Sequence, residues 1–174
     1  MIRVVIIGSE STGKTELARA LAEHYETAWA PEYVREYMDA KGAALTVDDV
    51  EAIARGQMAA EDEAAARAER LVILDTDLSS TVVYSNHYYS GCPEWIERAA
   101  RERRADLYLL LDVDVPWTAD AQRDRGDRRE EMHALFVDGL AEARVVVIGG
   151  DWEERRRRAI AAIDQVLRAE STQH

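Results

Sequence analysis

The 174-residue sequence predicts an α/β fold: a parallel sheet of about five strands with helices on both faces. Three observations predict it. Apolar runs rich in Val, Ile and Leu recur at residues 1–7, 71–75, 107–111 and 144–148, with a weaker one at 27–30. Runs without polar alternation suit strands that are buried on both faces. Stretches with helical spacing separate them, as parallel pairing requires. Acids and glycines then cluster directly after the runs, where an open parallel sheet holds its ligand.

In chain order, the strand at 1–7 leads through a glycine-bearing turn into a helix over about 14–25, with Leu17, Ala18, Leu21 and Ala22 on one face. Residues 27–30 form a short second strand that ends at Pro31. A helix over 32–41 follows and stops at Gly42. Thr46, followed by Asp48, Asp49 and Glu51, marks the start of a helix running to about residue 70. The strand 71–75 ends in an acid. Helices over 78–89 and 93–104 are divided by Gly91 and Pro93, and the strand 107–111 ends at Asp112. Residues 116–129 are polar and Arg/Asp-rich. A helix over 130–141, a strand over 144–148, the pair Gly149-Gly150 and a helix over 152–169 complete the chain.

Composition narrows the possibilities. The length suits one domain over 1–174 with a substantial core. No apolar run approaches the roughly 18 residues of a membrane span. The chain opens directly into its first strand, which predicts no signal peptide, and a lone Cys92 rules out an internal disulfide. The expected setting is cytoplasmic. A net charge of −12 argues against nucleic acid as the main partner. The expectation of a small-molecule substrate rests instead on the candidate site residues. The basic run 155–158 follows Glu153 and Glu154 and reads as a solvated, self-paired helix face rather than a nucleic-acid patch. His24, His87, His133 and His174 show no metal-ligand spacing.

Residues 8–15 match the P-loop pattern G-x-x-x-x-G-K-[ST], between the first strand and the first helix. Gly8, Glu10, Ser11, Thr12, Gly13, Lys14 and Thr15 are therefore expected to cradle the phosphates of a nucleotide. Loop N–H groups and the helix start face the β-phosphate. Lys14 would reach the β- and γ-phosphates, and the Thr15 hydroxyl would coordinate Mg²⁺. Lys14 is one of only two lysines among 22 basic residues; arginine fills the other positions. A compact ammonium suits a place between phosphate oxygens.

Acids and arginines at the other strand ends suggest a reaction. Asp75 can hold Mg²⁺ directly or through water, or serve as a base. Asp77 can cap the next helix or accept hydrogen bonds from a sugar's hydroxyls. Glu32, just past the second strand, can accept the proton of an attacking hydroxyl. Arg35, one turn on, can hold a phosphate or pair with Glu32 or Glu36. Trp29, Tyr33 and Tyr37 lie either in the core or against a flat acceptor. Residues 116–129 read as an arginine-bearing lid, with Arg123 and Arg128 as its candidates for stabilising transferring charge. Adenine is expected near Gly149 and Gly150. A regulatory ATPase is the alternative of another class. A GTP switch is disfavoured because no Asn-Lys-x-Asp segment is present.

Together the 8–15 loop, Glu32-Tyr33-Val34-Arg35-Glu36, Asp75-Thr76-Asp77 with Tyr84, and residues 109–117 resemble the ribosylnicotinamide kinase domain of NadR-type proteins. The resemblance runs over nearly the full length. It implies a P-loop kinase fold, ATP and Mg²⁺ as cofactors, and transfer of the γ-phosphate to the 5′-hydroxyl of nicotinamide riboside, giving nicotinamide mononucleotide. Glu32, Tyr33, Arg35 and Asp77 would then face the acceptor, with a kinase for another acceptor, such as a deoxynucleoside, as the near alternative. The chain departs from the family pattern in three places. It starts at the kinase's first strand and lacks an H-x-G-H motif, so no adenylylation activity is expected. The family's D-G-L-R reads Asp120-Ala121-Gln122-Arg123 here. Pro31 stands where some members carry a pyridine-stacking Trp.

Overall fold

The computed structural model describes residues 1–9, 12–114 and 128–172. Five strands, β1 (Ile2–Ile7), β2 (Trp29–Ala30), β3 (Leu71–Asp75), β4 (Leu107–Leu111) and β5 (Val145–Ile148), form one parallel sheet in the order β2-β3-β1-β4-β5. The helices are α1 (Lys14–His24), α2 (Tyr33–Lys41), α3 (Val50–Arg67), α4 (Leu78–Tyr89), α5 (Glu94–Glu102), α6 (Arg129–Gly139) and α7 (Trp152–Ser171).

The strands form because successive side chains enter two separate cores. Ile2, Val4 and Ile6 point toward α1 and α7 and pack with Leu17, Leu21 and Ile163. Val5 and Ile7 point the other way, with Ala64 of α3 and Met132 and Phe136 of α6. Burial on both faces explains why β1, β3 and β4 lack polar alternation. A third cluster joins Val50 and Ala54 of α3 to Leu78 of α4 and Ile96 of α5. The edge strand β5 is shallower, and its Val147 is exposed.

This strand order fixes where a ligand can sit. β1 and β3 are neighbours with Ile6 beside Asp75, yet the helices that follow them pack on opposite faces of the sheet. The crevice opened between the two departing chains is the switch point at which open α/β sheets bind ligands. Its walls are residues 8–9 and 12–15 on one side and the 75–77 turn on the other.

Some boundaries differ from those the sequence predicts. β2 has only two residues, because Pro31 ends it before a third pairing forms. The start marked by Thr46 is a 3₁₀ turn, Val47–Asp49, in which the Thr46 N–H donates to Asp49 Oδ2 at 2.7 Å; α3 begins behind it and ends at Arg67.

Candidate active site at the sheet switch point

The phosphate loop is shaped by backbone. Gly8 has φ 148°, and a β-carbon there would stand 3.1 Å from the Leu111 carbonyl oxygen, so the loop passes too close to β4 for a side chain. Gly13 caps α1 with φ 86°. The loop folds onto the Ser9 carbonyl, which accepts from Thr12 Oγ1 at 2.8 Å and from Lys14 Nζ at 3.2 Å. Ser9, Thr12 and Lys14 are buried. Glu10 and Ser11 lie outside the described residues.

Thr15 reaches across the switch point. Its Oγ1 donates to Asp75 Oδ2 at 2.7 Å. Asp75 is 0% exposed, and its Oδ1 has no hydrogen-bond partner among the described residues. Burial pushes the Asp75 carboxyl up from its ordinary value; the Lys14 charge, the Thr15 bond and the Arg35 charge pull against it. A buried carboxylate with an orphaned oxygen beside a hydroxyl is a hard-oxygen donor pair that fits Mg²⁺. Among the described residues no cluster of three or more His, Cys, Asp or Glu side chains could hold a metal ion. Such a pair suffices for Mg²⁺ only when phosphate oxygens and water complete its shell.

The next two residues are structural. Thr76 has φ 70°, a conformation that costs a β-branched residue about 1–3 kcal/mol. It is held by its N–H to the Ile6 carbonyl at 2.9 Å, by Gln57 Nε2 to its own carbonyl at 3.4 Å, and by a hydroxyl contact with Ser80. Asp77 caps α4: Oδ1 accepts from the Ser79 N–H at 2.9 Å, and Oδ2 accepts from the Tyr108 hydroxyl at 2.6 Å. Burial raises its carboxyl, while the Tyr108 and Ser79 bonds oppose the rise. Of the two roles read for Asp77, the geometry is that of the cap. Both oxygens are engaged inside the protein, which corrects the expectation of contact with an acceptor sugar.

Glu32 opens the other half of the site. It precedes α2 as its N-cap residue, is buried, and accepts from Arg35 Nε at 3.2 Å. It borders a cavity of about 790 Å³ between α2, α3 and α4. Val34 and Met38 of α2, Ile53 and Gln57 of α3, and Thr76 line its floor and sides. Residues 42–46 and Tyr84, Tyr88 and Tyr89 of α4 complete it. The Tyr84 and Tyr88 rings lie parallel within 3°, their centroids 6.1 Å apart. Asp39 contributes a carboxylate to the same wall. Gln57 ties the two halves together, because its Oε1 accepts from the Tyr33 N–H at 3.1 Å while Nε2 reaches Thr76.

The aromatics expected beside an acceptor lie elsewhere. Trp29 packs on the α1 side of the sheet with Arg19 5.9 Å above its ring, away from the cavity. The Tyr33 ring covers α3 where Gly56 leaves room for it; a β-carbon at Gly56 would overlap the ring. Tyr37 donates to Asp49 Oδ1 at 2.7 Å, and Lys41 pairs with the same carboxylate. The rings that do line the cavity come from α4. Their helical spacing reads equally as core packing, so only the fold distinguishes them. Gln57 carried no sequence signal at all.

The arginines divide. Arg123 and most of the expected lid lie outside the described residues. Arg128 is exposed at the start of α6, and its neighbour Arg129 is buried. Within 155–158 the expected solvated face fails at Arg155. That residue is 2% exposed and bonds backbone carbonyls, because the helix start turns its side chain inward over the phosphate loop. Near Gly149, a β-carbon would stand 3.1 Å from Asp114 Oδ2, so that turn hugs the end of β4.

A strand, a glycine loop and a helix at the switch point of a five-stranded parallel sheet define a P-loop nucleotide-binding fold. The chain belongs to the AAA domain family, whose model matches residues 3–155. It is 30% identical over 169 residues to the trifunctional NAD biosynthesis/regulator protein NadR of Escherichia coli strain K12, covering 94% of this chain and 41% of that protein. Two crystal structures of NadR match its fold with a TM-score of 0.79 each. One is in complex with NR (28% identity, 95% of this chain, 50% of that one). The other holds NAD and AMP-PNP (27% identity, 95% and 49%). Thymidylate kinase from Candida albicans shares the fold (TM-score 0.66, 14% identity, 94% and 91%). The chain thus spans about half the length, or less, of the NadR proteins it matches. No helix among the described residues is long and apolar enough to cross a membrane.

Proposed function

We propose that this chain is an ATP-dependent kinase that transfers the γ-phosphate of ATP to the 5′-hydroxyl of nicotinamide riboside, giving nicotinamide mononucleotide. One observation carries the reading. A buried carboxylate, Glu32, lines a cavity large enough for a nucleoside, and its partner Arg35 carries a charge that reaches Asp75 beside the phosphate loop. The similarity to NadR, one structure of which holds NR and another AMP-PNP, an ATP analogue, supports the choice of both substrates.

The chemistry follows from this placement. Gly8, Glu10, Ser11, Thr12 and Gly13 supply the phosphate cradle, and Lys14 the charge between its oxygens. Thr15 and Asp75 would hold Mg²⁺, which would supply positive charge against the phosphates. Glu32 accepts the acceptor's hydroxyl proton as that oxygen bonds to the γ-phosphorus. The bond to the β–γ bridging oxygen breaks, and ADP leaves with the electron pair. Glu32 takes this role over Asp75 because it borders the cavity, whereas Asp75 is engaged with Thr15. Arg35 holds Glu32 in place, and its charge also reaches Asp75. The Tyr84 and Tyr88 faces and the Asp39 carboxylate suit a flat pyridinium cation. Arg123 and Arg128 are assigned to the transferring phosphoryl group. The whole is one catalytic domain working on small molecules without nucleic acid or membrane, in the cytoplasm.

The test is a panel of ribosides and deoxyribosides with MgATP, reading ADP release and the phosphorylated product. Nicotinamide riboside is expected to yield its mononucleotide with the highest kcat/KM. Phosphorylation of another nucleoside with none of nicotinamide riboside would replace the acceptor. ATP turnover indifferent to every acceptor would replace the kinase with an ATPase.

A further inference from the structure

We infer that Arg155 is a positioning residue for the nucleotide, a guanidinium that sets the phosphate loop and the turn after β5 in one fixed relation. The inference rests on ATP being the nucleotide bound and not on the identity of the acceptor.

The geometry is that of a clamp. From the first turn of α7, Nη1 donates to the Thr12 carbonyl in the phosphate loop at 2.9 Å. Nε donates to the Gly150 carbonyl in the turn after β5 at 2.9 Å, and Nη2 to the Asp112 carbonyl after β4 at 3.1 Å. Nη2 also pairs with Asp114, whose Oδ2 accepts from the Gly150 N–H at 2.6 Å. A guanidinium has five N–H donors in a rigid fork, and four of them are used here. The loops after β1, β4 and β5 are thus joined at one side chain.

The consequence for ligand binding comes from peptide planarity. The carbonyl of one residue and the N–H of the next belong to one rigid plane and point in opposite directions. Pinning the Thr12 carbonyl therefore fixes the direction of the Gly13 N–H, which belongs to the phosphate cradle. Pinning the Gly150 carbonyl does the same for the Asp151 N–H. Donors fixed before the ligand arrives bind it without paying to order them. Lysine cannot reproduce this, because a single ammonium cannot span three carbonyls on three loops. The partner carboxylate, Asp114, is 40% exposed, so burial of Arg155 rests mainly on the carbonyls. Arg129 at the start of α6 lies in the field of the same two groups; burial and the Arg155 charge both press its guanidinium down, while Asp114 raises it.

The experiment compares Arg155→Ala, Arg155→Lys and Asp114→Asn with the unchanged chain. AMP-PNP binding with Mg²⁺ is measured by calorimetry, thermal unfolding without nucleotide, and the KM of each substrate in the kinase assay. Arg155→Ala should weaken AMP-PNP by about tenfold or more while the protein remains folded, since each lost charge-assisted bond accounts for a factor of that order. Arg155→Lys should recover part of the loss, and Asp114→Asn should cost about threefold. The acceptor KM should stay within about twofold, a split that a general loosening of the fold would not produce. AMP-PNP affinity within about twofold of the original in folded Arg155→Ala overturns the inference. If that variant does not fold, the same result in both Arg155→Lys and Asp114→Asn overturns it. An equal loss of affinity for acceptor and nucleotide also overturns it. Should the unchanged chain phosphorylate no riboside, the acceptor reading falls, and the AMP-PNP titrations still decide the role of Arg155.

Discussion

The two halves of the site are built in different ways. On the phosphate side, Gly8, Thr12, Gly13, Lys14 and Thr15 lie within eight consecutive residues, with Gly8, Thr12 and Lys14 buried and Gly13 and Thr15 half-buried, and the backbone there is shaped by its contacts with β4 and with the Arg155 side chain of α7. On the proposed acceptor side the cavity is assembled from side chains of α2, α3 and α4 and the 42–46 segment, and Tyr88 at its rim is 44% exposed. The phosphate side recognises a group common to every nucleotide, so repeating backbone N–H donors suffice. In the proposed reaction the acceptor side has to distinguish one small molecule from others, which takes side chains of particular size and charge. The first is made locally; the second exists only after three helices have packed.

Several substitutions can break or sharpen this contrast. The largest effect should come from Lys14→Ala. With a charge on the transferring phosphoryl group removed, turnover should fall by about a thousandfold or more, with circular dichroism unchanged. Turnover near that of the unchanged chain would remove the phosphate side from the mechanism.

Asp75→Asn comes next and separates function from stability. Turnover should drop about a hundredfold, partly restored by raised Mg²⁺. Stability should move the other way. Burial raises the Asp75 carboxyl above its unfolded value, so the folded chain holds that proton more tightly and the ionised group costs stability as pH rises through its folded pKa. At neutral pH and without Mg²⁺, Asp75→Asn should therefore unfold at a higher temperature than the unchanged chain, and the gap should close as the pH falls. A lower unfolding temperature at neutral pH would show that the ionised carboxylate stabilises the crevice.

Tyr88→Ala probes the acceptor side alone. It should raise the acceptor KM about tenfold, the size of a lost ring–cation contact, and leave the KM for ATP unchanged. Because Tyr88 is exposed at the rim, the unfolding temperature should barely move. A change in ATP affinity would show that the two halves are coupled more tightly than their construction suggests.

The smallest kinetic effect should come from Asp77→Ala. Loss of the α4 cap should cost about 1–2 kcal/mol of stability in urea unfolding, with the acceptor KM within about twofold. A large rise in that KM at unchanged stability would return Asp77 to the acceptor site.

How much could be read in advance follows the same division. The strands β1, β3 and β4 were legible because double burial demands unbroken apolar runs, as at Leu71–Asp75 and Leu107–Leu111, whereas the short β2 left only a weaker run and the edge strand β5 is shallower. Thr15 and Asp75 were legible because one follows the glycine loop and the other ends a strand, and their 2.7 Å contact follows from β1 and β3 being neighbours. Trp29 and Tyr33 were not. An aromatic's spacing does not say which face of a sheet it meets, and here one packs toward α1 and the other on Gly56. Arg155 read as one charge in a solvated run, since its partner Thr12 lies 143 residues away.

By itself, then, the sequence determined the strands, the helices and the phosphate loop. These depend on periodicity, glycine and backbone donors that act between near neighbours. Tertiary structure alone decided the strand order that places Thr15 beside Asp75, the capping role of Asp77, the tyrosines that line the cavity, and the clamp at Arg155. Each of these is a contact between residues far apart in the chain. Which distant residues meet is settled by how the helices pack on the two faces of the sheet, and no local pattern records it.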